Sequence, residues 1–178
     1  MILLGLVGSK GVGKDTAAHY LVKKYDFVSM AYADPLKEAC RVVFHLTSEQ
    51  LHDRAKKEQV VEPWGKSPRQ ILQTVGTDLF RNHFHKDVWL WNLEHRVRHS
   101  RRDRIVVTDV RFENEMEHIR SLGGFLVRID RETGSTDGHE SERVPTVGCD
   151  AVLDNNGSVA ALHEQLKNTV EPLLRPQN

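Results

Sequence analysis

Gly8-Ser9-Lys10-Gly11-Val12-Gly13-Lys14-Asp15-Thr16 is the stretch on which the reading of this chain turns. Before it stands an apolar run, Ile2-Leu3-Leu4-Gly5-Leu6-Val7, which reads as a buried strand. After it, Ala17-Ala18-His19-Tyr20-Leu21-Val22-Lys23-Lys24 reads as a helix. Strand, glycine-rich loop and helix together form a setting in which a phosphate group can be cradled. Glycines let backbone N–H groups turn inward, and the helix N-terminus adds the positive end of its dipole. Lys14 adds a point charge suited to β- and γ-phosphates. The spacing from Gly8 to Gly13-Lys14 fits G-x-x-x-x-G-K. The next position departs from that pattern: Asp15 stands where a Ser or Thr usually meets magnesium, and Thr16 carries the hydroxyl one place later. An acid there is unwelcome beside phosphates, so a first-turn role at the helix start is the simpler account of Asp15.

The totals narrow the remaining classes. A chain of 178 residues fits one domain with a sizeable core. Lys plus Arg equals Asp plus Glu at 25 each, so global charge gives no argument for nucleic acid or an anionic membrane. No apolar run approaches membrane-spanning length, and the N-terminal run ends in the glycine loop rather than in a cleavage site, so neither a membrane segment nor a signal peptide is expected. Cys40 and Cys149 make neither a disulfide framework nor a metal spacing, and reduced thiols in the cytoplasm are expected. The ten histidines are scattered, without H-E-x-x-H.

Along the chain, strands are predicted at 27–32, 105–109, 125–131 and 151–153, besides the first. Helices are predicted at 34–44, 47–59, 69–78, 88–98, 113–122 and 159–174. Asp34 and Pro35 would open the first of these, and Gly123-Gly124 would stop the fifth. Alternating strands and helices predict a three-layer α/β domain around a parallel sheet. The helix-rich stretch at about 34–98 is predicted to form an insertion over the C-terminal edge of the sheet, where ligands bind in such folds. The polar stretch 132–148 has the composition of a lid, and an ordinary surface loop is the alternative.

Phosphoryl transfer to a phosphorylated acceptor needs positioning and charge screening more than covalent chemistry. Asp109, at the end of the run Ile105-Val106-Val107-Thr108, is placed to meet magnesium through water or to orient a water; a helix cap is its alternative role. Arg111, two residues on, can face the same region. Lys37, Arg69 and Arg81 are candidates for a second phosphate site. A cation such as Arg69 at a helix start is unfavourable unless an anion neutralises it. Gln73 lies on the same helix face as Arg69 and can hydrogen-bond a base. Trp64, Trp89 and Trp91 can stack on a base, although at least one belongs in a core. Arg128, Arg131 and Arg143 flank or occupy the polar loop, and Asn155-Asn156-Gly157 can edge an adenine or simply form a turn.

With these residues in hand, the chain resembles the bacteriophage-type deoxynucleoside monophosphate kinases, which share the P-loop kinase fold. The resemblance rests on the 8–16 loop, on Ala33-Asp34-Pro35-Leu36-Lys37, on Ser67-Pro68-Arg69-Gln70-Ile71-Leu72-Gln73-Thr74-Val75-Gly76-Thr77-Asp78 with Arg81, on Asp87-Val88-Trp89, on Thr108-Asp109-Val110-Arg111-Phe112-Glu113-Asn114-Glu115, and on Ser141-Glu142. It implies transfer of the γ-phosphoryl of ATP, with Mg2+, to a deoxynucleoside 5′-monophosphate, in the cytoplasm (the host's, if the protein is viral). It further implies that Gly11, Gly13, Lys14, Asp15 and Thr16 meet ATP, and that Lys10, Leu36, Lys37, Arg69 and Gln73 meet the monophosphate; Val12 and Asn155 are added as candidates on the ATP side, and Arg81 and Trp89 on the monophosphate side, from the reading of the residues. Lys14, Asp109, Arg111 and Arg131 would carry catalysis. Such kinases can be homodimers and engage neither nucleic acid nor membrane. The stretch Gly138-His139-Glu140-Ser141-Glu142 departs from an arginine-loaded lid, which leaves open the arginine that screens the phosphoryl group.

Two rivals remain at this level. The chain is similar to animal-type phosphomevalonate kinases at the Gly-Lys-Asp loop, at Pro35-Leu36-Lys37 and at Asp109-x-Arg111; Gln73, Thr77 and the tryptophan-bearing region favour a base-containing acceptor instead. A nucleotide-switched binding module is disfavoured by Asp15 and by the lack of an Asn-Lys-x-Asp motif.

Overall fold

The computed structural model describes residues 1–132 and 148–175. Between its two end positions the predicted lid, with Ser141, Glu142 and Arg143, lies outside the described residues. The described chain divides into two compact units, Met1–Ala31 with Arg96–Asn178, and Tyr32–His95.

The first unit is built on β1 (Ile2–Val7), whose last five residues are buried. An apolar run without alternation is what a strand covered on both faces requires. β1 pairs in parallel with β3 (Arg104–Val110) on one side and β4 (Phe125–Asp130) on the other. β2 (Val28–Met30) extends the sheet beyond β3, and β5 (Ala151–Asp154) extends it beyond β4. The order is β2-β3-β1-β4-β5, with all pairings parallel. Helix α1 (Lys14–Tyr25) buries Ala17, Ala18, Leu21 and Tyr25. Helix α7 (Val159–Leu174), capped by the Ser158 hydroxyl, buries the stripe Leu162, Leu166 and Val170. Both helices pack against Leu4, Leu6, Val106, Val127 and Ile129 of the sheet. Helix α6 (Glu113–Ser121) follows β3 and buries Met116 and Ile119. This is the predicted α/β architecture with a parallel sheet.

The second unit holds α2 (Asp34–Phe44), α3 (Ser48–His52), α4 (Pro68–Gln73) and most of α5 (Val88–Arg98). Asp34 is the first helical residue of α2 rather than its cap, and Ala33 takes the capping position. The predicted helix at 47–59 is broken. α3 starts with reciprocal bonds between Thr47 and Gln50, but the Asp53 carboxylate then accepts the N–H groups of Ala55 and Lys56, both at 2.9 Å. A short acid that captures the following amides turns the chain out of the helix, and only a 3₁₀ turn, Lys56–Glu58, follows.

The helix predicted at 69–78 is longer, because α4 runs directly into a widened π-helical stretch, Thr74–Phe84. Within it the Gly76 carbonyl accepts the Trp89 indole N–H at 3.0 Å, a bond that turns this carbonyl towards a side chain. A Cβ on Gly76 would lie 2.5 Å from Leu36 Cδ2, so a larger residue there would make the Leu36 side chain shift. Cys40, Leu46, Leu51, Ile71 and Val75 form the unit's core, with Leu36 packed on it. Burial pushes the Cys40 thiol up to about 11, as expected of an inert core cysteine.

Candidate active site

Strand ends of the first unit collect the polar residues. The glycine loop follows β1, Asp109 and Arg111 lie at the end of β3, Arg131 follows β4 and Asn155 follows β5. All four strands run in the same direction, so these residues share the C-terminal edge of the sheet, where the strand order switches and ligands bind in doubly wound folds.

The loop is held by its carbonyls. The Lys14 ammonium, 8% exposed, donates to the Gly8 carbonyl at 2.6 Å and to the Ser9 carbonyl at 2.7 Å. The Asn155 side-chain amide, 7% exposed, donates to the Val12 carbonyl at 2.7 Å. The Gly13 carbonyl accepts the first helical bond from Ala17 at 3.0 Å. Gly8, Gly11 and Gly13 have φ of 154°, 87° and 109°, the left-handed side of backbone space that glycine occupies without strain. Gly13 is both the N-cap of α1 and the residue against which Asn155 rests, since a Cβ there would overlap the Asn155 amide. Asp15, in the first turn of α1, and Thr16 are exposed at the helix start. Beside them a depression of about 250 Å³ is lined by Asp15, Ala18, His19, Val22, Ser29 and Thr108; it is smaller than the roughly 300 Å³ at which small-molecule sites begin.

At the end of β3, Asp109 is half-buried and Arg111 exposed. The chain turns here into α6, and the turn is tied by Glu115. Its carboxylate, 3% exposed, accepts the N–H groups of Arg111 at 2.9 Å and Phe112 at 3.2 Å. Glu115 thus provides the acid at the start of α6, and Asp109 sits within β3 rather than at the helix cap. Sequence reading missed this anchor; the signal was a Glu at the third helical position after Phe112. Glu115→Ala is expected to leave these amides without their carboxylate and to lower stability by about 2–3 kcal/mol, read as an earlier urea midpoint at unchanged slope.

Arg128 donates to Asp130 on its own strand at 2.6 Å, whereas Arg131 is exposed just beyond the strand. The Glu132 N–H donates to the Asn156 side-chain oxygen at 2.8 Å, which ties the β4 end to the turn after β5.

In the second unit, Lys37 is half-buried, Gln73 exposed and Arg81 half-buried. The Arg69 Nε donates to the Glu58 carboxylate at 2.5 Å, with side chains 37% and 56% exposed. Glu58 therefore supplies the neutralising anion for a cation at this helix start, and the position of Arg69 does not by itself require a ligand. Trp89 is 7% exposed, its N–H is bonded to Gly76 and its ring packs on Phe80. It is the core tryptophan, which argues against the stacking role expected for it. Trp64 packs edge-on against Phe44, and Trp91 stacks on His85. Lys10 stays exposed in the loop of the first unit.

Magnesium prefers oxygen ligands and keeps much of its water shell, so substrate phosphates and one or two carboxylates suffice to hold it. Among the described residues no group of three or more metal-ligating side chains converges. The half-buried Asp109 carboxylate and the exposed Thr16 hydroxyl are oxygen donors of the type such an ion takes.

Comparison with known proteins accords with this geometry. The family model for deoxynucleotide monophosphate kinase matches residues 46–166. A protein of Acanthamoeba polyphaga mimivirus, named with a provisional qualifier as a deoxynucleotide monophosphate kinase, is 38% identical over 188 residues, covering 96% of this chain and 97% of its own. The deoxynucleotide monophosphate kinase of Enterobacteria phage T4 is 33% identical over 112 residues, 60% of this chain and 46% of that enzyme. Among solved structures, the shikimate kinase of Aquifex aeolicus superposes with a TM-score of 0.57 at 13% identity, over 97% of this chain and 98% of that one. TT1252 of Thermus thermophilus gives 0.56 at 19% identity, over 98% of each chain. At such identities the structures speak to the fold alone, whereas the family model and the mimivirus relative cover enough of the sequence to decide membership: this chain belongs to the deoxynucleotide monophosphate kinase family.

Proposed function

We propose that the chain transfers the γ-phosphoryl group of ATP to a deoxynucleoside 5′-monophosphate, giving a diphosphate and ADP. The observation that carries this reading is the Lys14 ammonium, fixed by two loop carbonyls at the end of the central strand in a chain of this family. The loop amides and Lys14 would bind the β- and γ-phosphates, with Gly11, Val12, Gly13, Asp15 and Thr16 lining the triphosphate. Magnesium, when bound, supplies charge neutralisation between the phosphates; Asp109 would hold it through water, with the Thr16 hydroxyl nearby. Arg111 and Arg131, both exposed, would screen the phosphoryl group in transfer.

The monophosphate would be held by Lys10, Lys37, Arg69 and Arg81, with Gln73 on the base. Leu36, packed on the core of the helical unit, and Trp89, bonded to Gly76, would wall the acceptor site rather than stack on the base. The Arg69–Glu58 pair is half-exposed, so exchanging that carboxylate for a phosphate costs little. We place the reaction in the cytoplasm, the host's if the protein is viral. Among the described residues no helix is long and apolar enough to cross a membrane.

Arg69→Ala is expected to raise KM for the monophosphate about 10- to 100-fold while KM for ATP changes less than about threefold. Equal effects on both substrates would remove Arg69 from the acceptor site. The reaction itself is tested by ADP release from Mg-ATP with each deoxynucleoside monophosphate, the ribonucleotides and 5-phosphomevalonate as separate acceptors. Turnover with one or more deoxynucleotides is the expected result and gives the base preference. Turnover with phosphomevalonate alone would overturn the acceptor, and ATP binding without any turnover would overturn the kinase reading.

A further inference from the structure

We propose that Asn155 is the positioning residue of the phosphate loop, holding the Val12 carbonyl away from the anion so that the loop faces the triphosphate with its N–H groups. The proposal rests on the reading of the 8–14 loop as an ATP phosphate site. A glycine-rich loop can turn either its amides or its carbonyls towards a ligand, and only the first arrangement attracts an anion. Here the Gly8 and Ser9 carbonyls bind Lys14, the Gly13 carbonyl binds Ala17 and the Val12 carbonyl binds Asn155. The first three restraints arise within the loop and its own helix. The fourth comes from 143 residues away in sequence, from the residue that follows β5.

Asn155 is well placed to act as a fixed donor. Its backbone N–H donates to the Asp130 carbonyl at 2.7 Å, which seats the residue at the end of β4. Its side chain is buried, and its amide nitrogen rests where a Gly13 Cβ would be. A buried donor with one short bond loses that bond only at the cost of leaving the carbonyl unpaired. An amide so committed to the loop backbone is directed away from solvent, which argues for control of the phosphate chain rather than recognition of a base.

The two roles separate by ligand. Asn155→Leu keeps the branched outline, with a larger apolar end, and removes the donor; Asn155→Ser is shorter and cannot span to Val12, and it reads the same bond should the first variant fail to fold. Dissociation constants for Mg-ATP, Mg-GTP and inorganic tripolyphosphate would be measured calorimetrically on the wild-type chain and on each folded variant. The expected result is a loss of about tenfold or more that is the same, within about twofold, for all three ligands. A loss for ATP with tripolyphosphate unchanged would overturn the proposal and make Asn155 an adenine contact. Unchanged binding of all three would remove any role for Asn155 in the site. Failure of the wild-type chain to bind tripolyphosphate or ATP would overturn the phosphate-site reading itself, and the proposal with it.

Discussion

Lys14→Ala is expected to lower kcat by about a hundred- to a thousandfold, the range found when one preorganised group on a developing transition-state charge is removed. The ammonium has two functions in this geometry. It places a positive charge at the loop, and it binds the Gly8 and Ser9 carbonyls that would otherwise face the incoming phosphates. Deleting it removes the attraction and releases two repelling dipoles. Lys14→Arg is expected to recover little, because a planar guanidinium does not fit where a compact ammonium sits 8% exposed between two carbonyls. The fold should survive, since the core of this unit lies on Leu4, Leu6, Leu21, Val106 and Leu166. Single-turnover kinetics with a deoxynucleotide acceptor, alongside circular dichroism, check this result; near-normal kcat in a folded Lys14→Ala protein would remove the loop from the chemistry.

Gly13→Ala is the second large effect. At φ 109° an alanine is strained, and its Cβ would occupy the position of the Asn155 amide. Backbone strain of this kind costs about 1–3 kcal/mol before any displacement of Asn155 is counted. Two consequences are expected together: a Tm lower by several degrees, and ATP binding weaker by about a hundredfold because the loop and the start of α1 shift. Gly123→Ala is the control. That residue also has positive φ, 75°, but nothing lies within 4 Å of its Cβ position. It should lose stability from strain alone and bind ATP normally. Equal loss of ATP affinity in both variants would mean that contact with Asn155 has no part in shaping the loop.

The local elements were readable because their signals are local. Ile2–Val7, Gly8 to Lys14 and the α1 face follow from periodicity and from what glycine alone permits, and the structure keeps all three. Pro35 near the start of α2, and the Ser67-Pro68 start of α4, were legible for the same reason. The failures are of another kind. The break after α3 follows Asp53 capturing two amides, and within the widened stretch Thr74–Phe84 the Gly76 carbonyl is bound by an indole 13 residues away. Composition gives no sign of which competitor prevails.

Sequence alone determined that a strand, a phosphate-cradling loop and a helix stand together, that the sheet is parallel, and which side-chain types are available for anions and magnesium. Backbone sterics and the apolar period act over a few residues, so a chain states them openly. Tertiary structure decided what each of those side chains is engaged in. It turned Trp89 into a core residue with its N–H on Gly76, gave Arg69 a carboxylate partner in Glu58, and set Glu115 rather than Asp109 at the start of α6. It also brought Asn155 onto Val12 from the far end of the sheet. The Glu115 anchor is local and follows a helix-start spacing, whereas the Trp89, Arg69 and Asn155 pairings join groups 11 to 143 residues apart. The geometry of those three is fixed by the packing of strands and helices, and no spacing rule along the chain encodes it.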